Sequence, residues 1–499
     1  MAKKKNNNNV NGGFLRGVNY SDPVLNYRAE KIHSTLKKVS GKNIKMDKTF
    51  IADTFNTHYL PAPIPKSEHE IPEEKEPEYE IFKTVYDSPI MEENRSHSVA
   101  NSTVSTALTV SFLDNLIKEL EEKKKSGSAE EKEVAEELLD QLTNASGKKK
   151  KDSNGTDEQK PGSGQTPNNN KNKAGKKNNN RTGKQTSNDE GEQGSSKTDK
   201  KTIQKSVIAQ AVTSALKKAS EDAKNVAMLQ KLASNSAGSG HLISFEDNID
   251  KVLELARNVD VKKVLELLKG MPKLNITRKK KTVKFSKGEI SGYEYGSDVE
   301  RIVPTELALP DEVFYSKFAE SQLLLYERRM KEEDGVIYVL LDKSGSMDGE
   351  KIIWAKAVAL ALFNKARKEN REFYIRFFDD YPYNLVKVPK NTKSEGVLKL
   401  IEYIGKVRGD GGTDITRAIV TATEDIKQGK VKGTSEIILI TDGEDRIDEE
   451  KVLKELKLAK ANLISIGVRS ENPSLREVST KYFSVYALNG DEMLQIVEE

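Results

Sequence analysis

The last third of the chain alternates short apolar runs with longer amphipathic runs, and this pattern limits the possible folds more than any other feature. Runs such as GVIYVLLD (335–342) and EIILITD (436–442) have the length of strands, and a segment with helical spacing follows each of them. Apolar strands that alternate with helices are typical of a mostly parallel sheet covered on both faces. We therefore predict a doubly wound α/β domain over residues 335–499. In it, FYIRFF and YNLVKV form an antiparallel pair at the sheet edge.

The rest of the chain predicts two helical regions on either side of a linker. Residues 147–201 contain no Val, Ile, Leu, Met or aromatic residue, and Ala174 is the sole aliphatic residue there. Such a segment cannot bury enough apolar surface to offset the entropy of ordering, so we predict a disordered linker. Residues 1–146 and 202–334 show amphipathic helical spacing and are expected to pack together.

Two finer expectations concern those helical regions. Residues 61–90 are rich in Pro and Glu and are expected to be irregular. The segment DEVFYSKFAESQLLLYERRM (311–330) is expected to form a further helix that leads to the α/β domain.

Composition excludes several classes of protein. The chain has no cysteine, which rules out disulfides and Cys-based zinc or thiol chemistry. Its longest apolar run, AVALALF (357–363), has about seven residues, whereas a membrane-spanning helix needs about 20. No apolar signal-peptide core follows the basic N-terminus. We therefore expect a soluble, cytoplasmic protein without a membrane span.

The positive charge is concentrated in one segment. Residues 147–201 hold 14 basic and 7 acidic residues and so carry +7, which leaves about −3 for the rest of a chain whose total is +4. The linker also lacks aromatic residues for base stacking. Nucleic-acid binding through the linker and Arg278–Lys281 is therefore kept as an alternative that would be salt-sensitive and non-specific.

Polar side chains follow the ends of the predicted strands, where parallel sheets bind ligands. Asp342, Ser344 and Ser346 come directly after one strand, Asp442 ends a second, and Thr413 lies in the loop RGDGGTDIT. Two carboxylates and three hydroxyls form an all-oxygen set that suits Mg²⁺, or Mn²⁺, and does not suit zinc. Because hydroxyls neutralise no charge, the metal would stay electrophilic toward an acidic group of another molecule. A helix cap is the competing interpretation of the first three residues.

Several neighbouring residues are assigned ordinary structural roles. We expect Asp414 to cap the following helix, Asp445 to be a surface acid, and Asp379 and Asp380 to lie in a solvated turn. Lys343 should point away from the metal, because side chains alternate along an extended loop.

These residues carry a resemblance to a known family. DKSGS, Thr413 in GGTD and Asp442 in TDGE resemble the metal-ion-dependent adhesion site of von Willebrand factor type A domains. The resemblance implies that Asp342, Ser344, Ser346, Thr413 and Asp442 form a metal site in a protein-interaction module. The partner would complete the coordination with an acidic side chain.

A second resemblance covers more of the chain. YEYGSDVERIVPTELAL, FAESQLLLYERR and DKSGSM are similar to segments of the intracellular CoxE-like and ViaA-like proteins. This resemblance implies that the protein is an adaptor or co-chaperone of a MoxR-type AAA+ ATPase. The two proteins would act together in remodelling client proteins or inserting metal cofactors into them. The chain lacks a Gly-x4-Gly-Lys-Ser/Thr motif, so ATP hydrolysis would come from the partner. We expect no enzymatic activity; a metal-dependent hydrolase is the remaining alternative, although a general base and a second metal site are not evident.

Overall fold

The computed structural model describes residues 12–143, 195–234, 245–271, 282–331, 334–429, 431, 433–443 and 445–498. Its contacts divide the chain into two compact units, Met1–Glu221 and Asp222–Glu499. Within the described residues, no helix combines the length and the apolar character needed to cross a bilayer.

The first unit is helical. Its helices are α1 (Pro23–Ser40), α2 (Lys48–Tyr59), α3 (Glu76–Tyr86), α4 (Pro89–Ser98), α5 (Ser102–Ser126), α6 (Ala129–Thr143) and the first part of α7 (Ser195–Ser234). Local signals explain where the first of them begins and ends. The Asp22 side chain accepts a hydrogen bond from the Val24 N–H, and Pro23 is in the first turn of α1. Gly41 closes the helix in the left-handed region, with φ 66°.

An aromatic cluster anchors the N-terminal segment of this unit. Phe14 is 2% exposed and lies edge-on to Phe50 and Tyr79, with ring centroids 6.4 and 5.4 Å away. The Phe14 N–H donates to the buried carboxylate of Asp53 at 2.8 Å. Tyr20 donates its hydroxyl to the same carboxylate. The extended segment before α1 is thus part of the core of the unit.

Residues 61–90 are more regular than predicted. They include short 3₁₀ turns at Glu68–Glu70 and Glu73–Lys75 and the whole of α3. The expectation of an irregular segment was wrong for α3, because its proline, Pro77, lies in the first helical turn. There the missing N–H costs no helical hydrogen bond.

Helix α7 follows the predicted linker and begins inside it. Residues 195–201, predicted as linker, belong to α7, whereas residues 144–194 lie outside the described part of the chain. Within the first unit, Lys218 of α7 pairs with Glu119 of α5 at 2.6 Å, and Ser220 donates to Asn94 at 2.5 Å. Helix α7 therefore packs on helices that precede the linker. The domain limits at 146, 201 and 334 stay predictions, and the compact units divide at a different place, within α7.

The second unit holds a helical hairpin, a two-stranded sheet and an α/β domain. After the end of α7, its elements are α8 (Ile249–Arg257), α9 (Val259–Gly270), β1 (Thr282–Gly296), α10 (Asp311–Ala319), β2 (Leu323–Lys331), β3 (Asp334–Asp342), α11 (Glu350–Lys368), β4 (Phe373–Phe378), β5 (Val386–Val388), α12 (Ser394–Lys406), α13 (Ile415–Gln428), β6 (Thr434–Thr441), α14 (Glu449–Ala459), β7 (Ala461–Val468), α15 (Pro473–Val478), β8 (Lys481–Val485) and α16 (Gly490–Glu498).

The helical region predicted over residues 202–334 contains two strands in its second half, and the helix predicted over 311–330 was wrong for β2. Strands β1 and β2 form an antiparallel pair in which Tyr293 faces Tyr326, with ring centroids 5.7 Å apart. Leu323 and Leu325 are both buried, and they pack with Ile302 and Phe314. Burial at every second residue is the period of a strand, and a short apolar run does not by itself distinguish a strand from a helix.

The six-stranded sheet has the order β5-β4-β3-β6-β7-β8. All its neighbours are parallel except the edge pair β4–β5, in which Phe373 faces Val388. On one face, Tyr338 and Leu340 pack in a core cluster with residues of α13 and α14. On the other face, α11 packs against β3 and β4 and buries Trp354 completely. The predicted mostly parallel sheet with an antiparallel edge strand is therefore present.

Candidate metal centre

The candidate centre lies where the sheet order reverses direction along the chain. Strand β3 pairs with β4 on one side and with β6 on the other, and Leu341 is opposite Ile440 in register. The carboxyl ends of β3 and β6 therefore lie side by side, at the position where such sheets bind ligands. This register brings Asp342 and Asp442 together, although 100 positions separate them in the sequence.

The first loop presents its polar groups through a tight turn. The Ser344 N–H donates to Asp342 Oδ1 at 2.8 Å, and a 3₁₀ turn over Gly345–Met347 follows. The Ser344 and Ser346 hydroxyl oxygens are 3.1 Å apart. Ser346 also donates to Asp442 Oδ1 at 2.7 Å. The structure thus brings four of the five predicted residues into one chain of hydrogen bonds.

Asp342 is fully buried at the base of the centre. Its second oxygen accepts a hydrogen bond from the Thr441 hydroxyl at 2.5 Å. Burial raises the pKa of the Asp342 carboxyl to about 6, and the Asp442 charge acts in the same direction, whereas hydrogen bonds from Thr441 and Ser344 lower it. Two adjacent carboxylates in a desolvated position are stabilised by a bound cation.

Asp442 is held by two donors from different elements. Besides Ser346, Lys351 in the first turn of α11 places Nζ 2.5 Å from Asp442 Oδ2. The Asp442 side chain is 2% exposed. A protein ammonium group therefore already balances this carboxylate.

Thr413 lies beside the Asp442 loop. A Cβ built on Gly443 would be 3.0 Å from Thr413 Cγ2, so the two loops are in van der Waals contact there. Asp414 caps α13 by accepting a hydrogen bond from the Arg417 N–H at 2.8 Å, as predicted. Asp445, predicted to be a surface acid, accepts a hydrogen bond from the Ile415 N–H at 3.1 Å and so fixes the start of the same helix.

The expectation of a solvated turn at Asp379 was wrong. Asp379 is 6% exposed, and its carboxylate pairs with Lys343 Nζ at 2.9 Å and accepts the Tyr383 hydroxyl at 2.5 Å. Its carbonyl also accepts the Asp414 N–H at 3.0 Å. Asp379 therefore links the loop of Asp342 to that of Thr413.

The neighbouring Asp380 also contacts the Thr413 loop, since its Oδ2 accepts the Gly412 N–H at 3.2 Å. The one sequence signal for Asp379 and Asp380 was their place directly after a strand. That position is shared by many solvated turns, so it could not by itself identify a supporting role.

The candidate centre offers carboxylate and hydroxyl oxygens as donors. Among the described residues, no group of three or more His, Cys, Asp and Glu side chains could hold a metal ion. The candidate site depends instead on two carboxylates supplemented by the hydroxyls of Ser344 and Ser346. All of these donors are oxygens, which Mg²⁺ and Mn²⁺ prefer.

Comparisons with known proteins identify the domain that contains this centre. Residues 337–494 match the family model described as von Willebrand factor type A domain. An uncharacterized protein of Methanocaldococcus jannaschii is 31% identical over 273 residues, which cover 52% of this chain and 61% of the relative. A second uncharacterized protein of that organism is 27% identical over 268 residues, 51% of this chain and 67% of the relative. The chain thus spans less than two thirds of the first relative's length.

Among solved structures, proximal thread matrix protein 1 from the mussel byssus, described with a zinc occupied MIDAS motif, is 18% identical. That match covers 34% of this chain and 48% of the mussel chain, with a TM-score of 0.26. The assignment of the fold therefore depends on the family model and on the sheet order. Residues 337–494 of this protein form a von Willebrand factor type A domain.

Proposed function

We propose that this protein is a Mg²⁺-dependent protein-interaction module whose metal is held by Asp342, Ser344, Ser346, Thr413 and Asp442. The observation that carries the proposal is the hydrogen-bonded chain from Ser344 through Ser346 to Asp442, next to the buried Asp342. Mn²⁺ has the same ligand preferences and is an alternative ion.

Each ligand residue has a separate task in this proposal. Asp342 and Asp442 supply negative charge from the ends of β3 and β6, and the hydroxyls supply neutral oxygens. A cation held by these residues would supply a Lewis acid for an acidic side chain of another protein. Ser346 lies at the exposed rim of the centre, whereas Asp342 lies at its buried base, so a partner would approach from the side of Ser346.

The partner is proposed from the resemblance to CoxE-like and ViaA-like proteins. It would be a MoxR-type AAA+ ATPase, with this chain as its adaptor or co-chaperone in remodelling clients or inserting metal cofactors. In this proposal the protein acts in the cytoplasm and catalyses no reaction itself. The von Willebrand factor type A domain supports the general role in protein interaction.

A calorimetric titration tests the metal site. Ser346→Ala removes one hydroxyl at an exposed position and should weaken Mg²⁺ binding at least tenfold, while Asp342→Ala should abolish it. Ser316→Ala, at an exposed position of α10, is the matched control and should bind Mg²⁺ like the wild type. Equal affinities for all of these proteins would refute the site.

Affinity capture from lysate tests the partner. Wild-type protein should retain an AAA+ ATPase in Mg²⁺ and lose it in EDTA, and Ser346→Ala should lose it in both conditions. Retention of the same ATPase in EDTA would show that the interaction does not use the metal. Capture of nucleic acid at low salt alone would favour the alternative of a basic linker that binds polyanions, in a segment outside the described residues.

A further inference from the structure

Lys351 is in direct contact with a carboxylate of the candidate metal centre. Its Nζ is 2.5 Å from Asp442 Oδ2, and the side chains of Lys351 and Asp442 are 24% and 2% exposed. Lys351 is the second residue of α11. The N-terminal turn of a helix carries partial positive charge and disfavours a lysine. The ammonium is therefore held at this end of α11 by the carboxylate.

Protein donors occupy the carboxylate oxygens of the centre in this arrangement. Asp442 accepts from Ser346 at Oδ1 and from Lys351 at Oδ2. Asp342 accepts from the Ser344 N–H at Oδ1 and from Thr441 at Oδ2. A divalent cation bound by these groups would share the carboxylate oxygens with these donors, and it would meet the positive charge of Lys351.

We propose that Lys351 is a tethered cation that competes with the divalent metal for Asp442 and so sets the metal affinity of the centre. This inference rests on the proposed metal site and concerns its regulation. With the lysine in place, its ammonium balances the charge of Asp442, whereas Asp342 is held by neutral hydrogen-bond donors. Metal binding displaces the ammonium from Oδ2 toward solvent, to which its side chain is already partly exposed. The centre is then open to a partner's acidic group.

The chemistry of the lysine determines the direction of the effect. An ammonium and a divalent cation on the same carboxylate repel each other, and this repulsion opposes metal binding. Removing the ammonium also leaves Asp442 buried without a counter-charge, which destabilises the metal-free state. Both effects make metal binding more favourable when the lysine is neutralised.

Three variants test the inference by calorimetric titration with Mg²⁺ and with Mn²⁺. Lys351→Met keeps the aliphatic length and removes the charge, and it should bind each ion about tenfold more tightly than the wild type. Lys351→Arg keeps a cation and should stay within about threefold of the wild type. Lys399→Met is the matched control, because Lys399 of α12 is 72% exposed and pairs only on the surface, with Glu395 at 3.0 Å. Its affinities for Mg²⁺ and Mn²⁺ should equal those of the wild type.

A second measurement detects the same competition without calorimetry. The single tryptophan, Trp354, is buried in α11 and reports unfolding of the α/β domain. Compared with the wild type, Lys351→Met should unfold at a lower temperature in EDTA. It should gain more thermal stability when saturating Mg²⁺ is added.

The outcomes separate this inference from the function on which it rests. If the wild type binds metal and Lys351→Met binds it equally or more weakly, the lysine does not compete, and the metal site itself still stands. If neither protein binds Mg²⁺ or Mn²⁺, the metal site and the competition are both refuted. Tighter binding by Lys351→Met, with Lys351→Arg and Lys399→Met close to the wild type, supports the inference.

Discussion

Lys343 and Asp379 form a buried ion pair, 2.9 Å long, that joins two loops of the candidate metal centre. Lys343 stands between Asp342 and Ser344, and Asp379 follows β4. The lysine Nζ also donates to the Asp410 carbonyl at 3.2 Å and lies 4.4 Å from the centroid of the Tyr383 ring. Lys343 thus points away from Asp342, as expected, but it determines how the Thr413 loop is held.

The first prediction concerns this pair. Lys343→Met should weaken Mg²⁺ binding severalfold, because it leaves the Asp379 carboxylate buried without its counter-charge and loosens the Thr413 loop. The affinity is measured by calorimetric titration. Lys406→Met is the control, since Lys406 forms an exposed pair with Glu402 within one helix. Unchanged Mg²⁺ affinity in Lys343→Met would show that the pair does not position the site.

The second prediction concerns Gly411, which has φ 96°. A Cβ at this position would lie 2.9 Å from Asp379 Oδ2, so Gly411→Ala is both strained and crowded. We expect a loss of about 1–2 kcal/mol in the free energy of unfolding and weaker Mg²⁺ binding. Urea denaturation followed by Trp354 fluorescence measures the first effect.

The matched control for Gly411 is Gly345→Ala. A Cβ on Gly345 would meet its nearest atom, the Gly411 carbonyl oxygen, at 3.9 Å, which is an ordinary contact distance. This variant should keep the stability of the wild type. A loss of stability as large as that of Gly411→Ala would contradict the explanation from the backbone conformation.

The third prediction concerns the fully buried Lys356. It pairs with Asp260 of α9 at 3.1 Å and donates to the Val407 carbonyl at 2.7 Å, and burial lowers its pKa. Asp260→Ala leaves the buried ammonium without its partner and should cost about 3–5 kcal/mol. Lys356→Met replaces the ammonium with an apolar side chain of similar length.

The apolar surroundings of Lys356 explain why Lys356→Met should be tolerated better than Asp260→Ala. The cavity beside it is lined by apolar residues that include Val264, Leu360 and Ile404. Lys356→Met should therefore cost clearly less than Asp260→Ala, since a well-packed apolar group can replace a buried ion pair. Urea denaturation followed by Trp354 fluorescence gives both values, and the reverse order would contradict the account of the pair.

The fourth prediction concerns pH and the first unit. Burial raises the pKa of the Asp53 carboxyl from its usual value near 4 to about 7, although hydrogen bonds from Tyr20 and Phe14 lower it. Between about pH 4 and 7 the unfolded chain ionises this group while the folded chain keeps its proton. This group therefore makes the folded state less stable by roughly 1.4 kcal/mol for each pH unit across that range.

Asp53→Asn, which resembles the neutral acid, isolates this effect. The difference in stability between wild type and variant should shift in favour of the variant as pH rises from 5 to 7. Hydrogen exchange of α2, compared at both pH values, measures this difference for the first unit.

A second buried group of the first unit, His58, also depends on pH. Burial lowers the pKa of His58 to about 3. Below about pH 6.5 the unfolded chain protonates this histidine while the folded chain keeps it neutral, so His58 makes the folded state less stable as pH falls. Both proteins contain His58, so this effect cancels in the comparison. A difference that does not change with pH would refute the assignment.

The sequence predicted more of the α/β domain than of the helical part. Continuous apolar strands indicate burial on both faces, and this pattern depends on local composition alone. The segment containing β2 was predicted as a helix because LLLY is apolar at both the helical and the strand period. This segment is a strand because it pairs with β1, and that pairing depends on residues about 30 positions away.

The candidate ligands followed from the sequence because each stands directly after a strand or in a glycine-rich loop, and parallel strands end at the same edge of a sheet. The residues that hold these ligands in place could not be predicted from the sequence. Lys351 reaches Asp442 across 91 positions, and Asp379 contacts the Thr413 loop across about 30. Local sequence thus determined the alternation of strands and helices in the α/β domain and the chemistry of the donors. The tertiary structure decided which charges balance one another, because ion pairing and burial depend on distances set by the register of β3, β4 and β6.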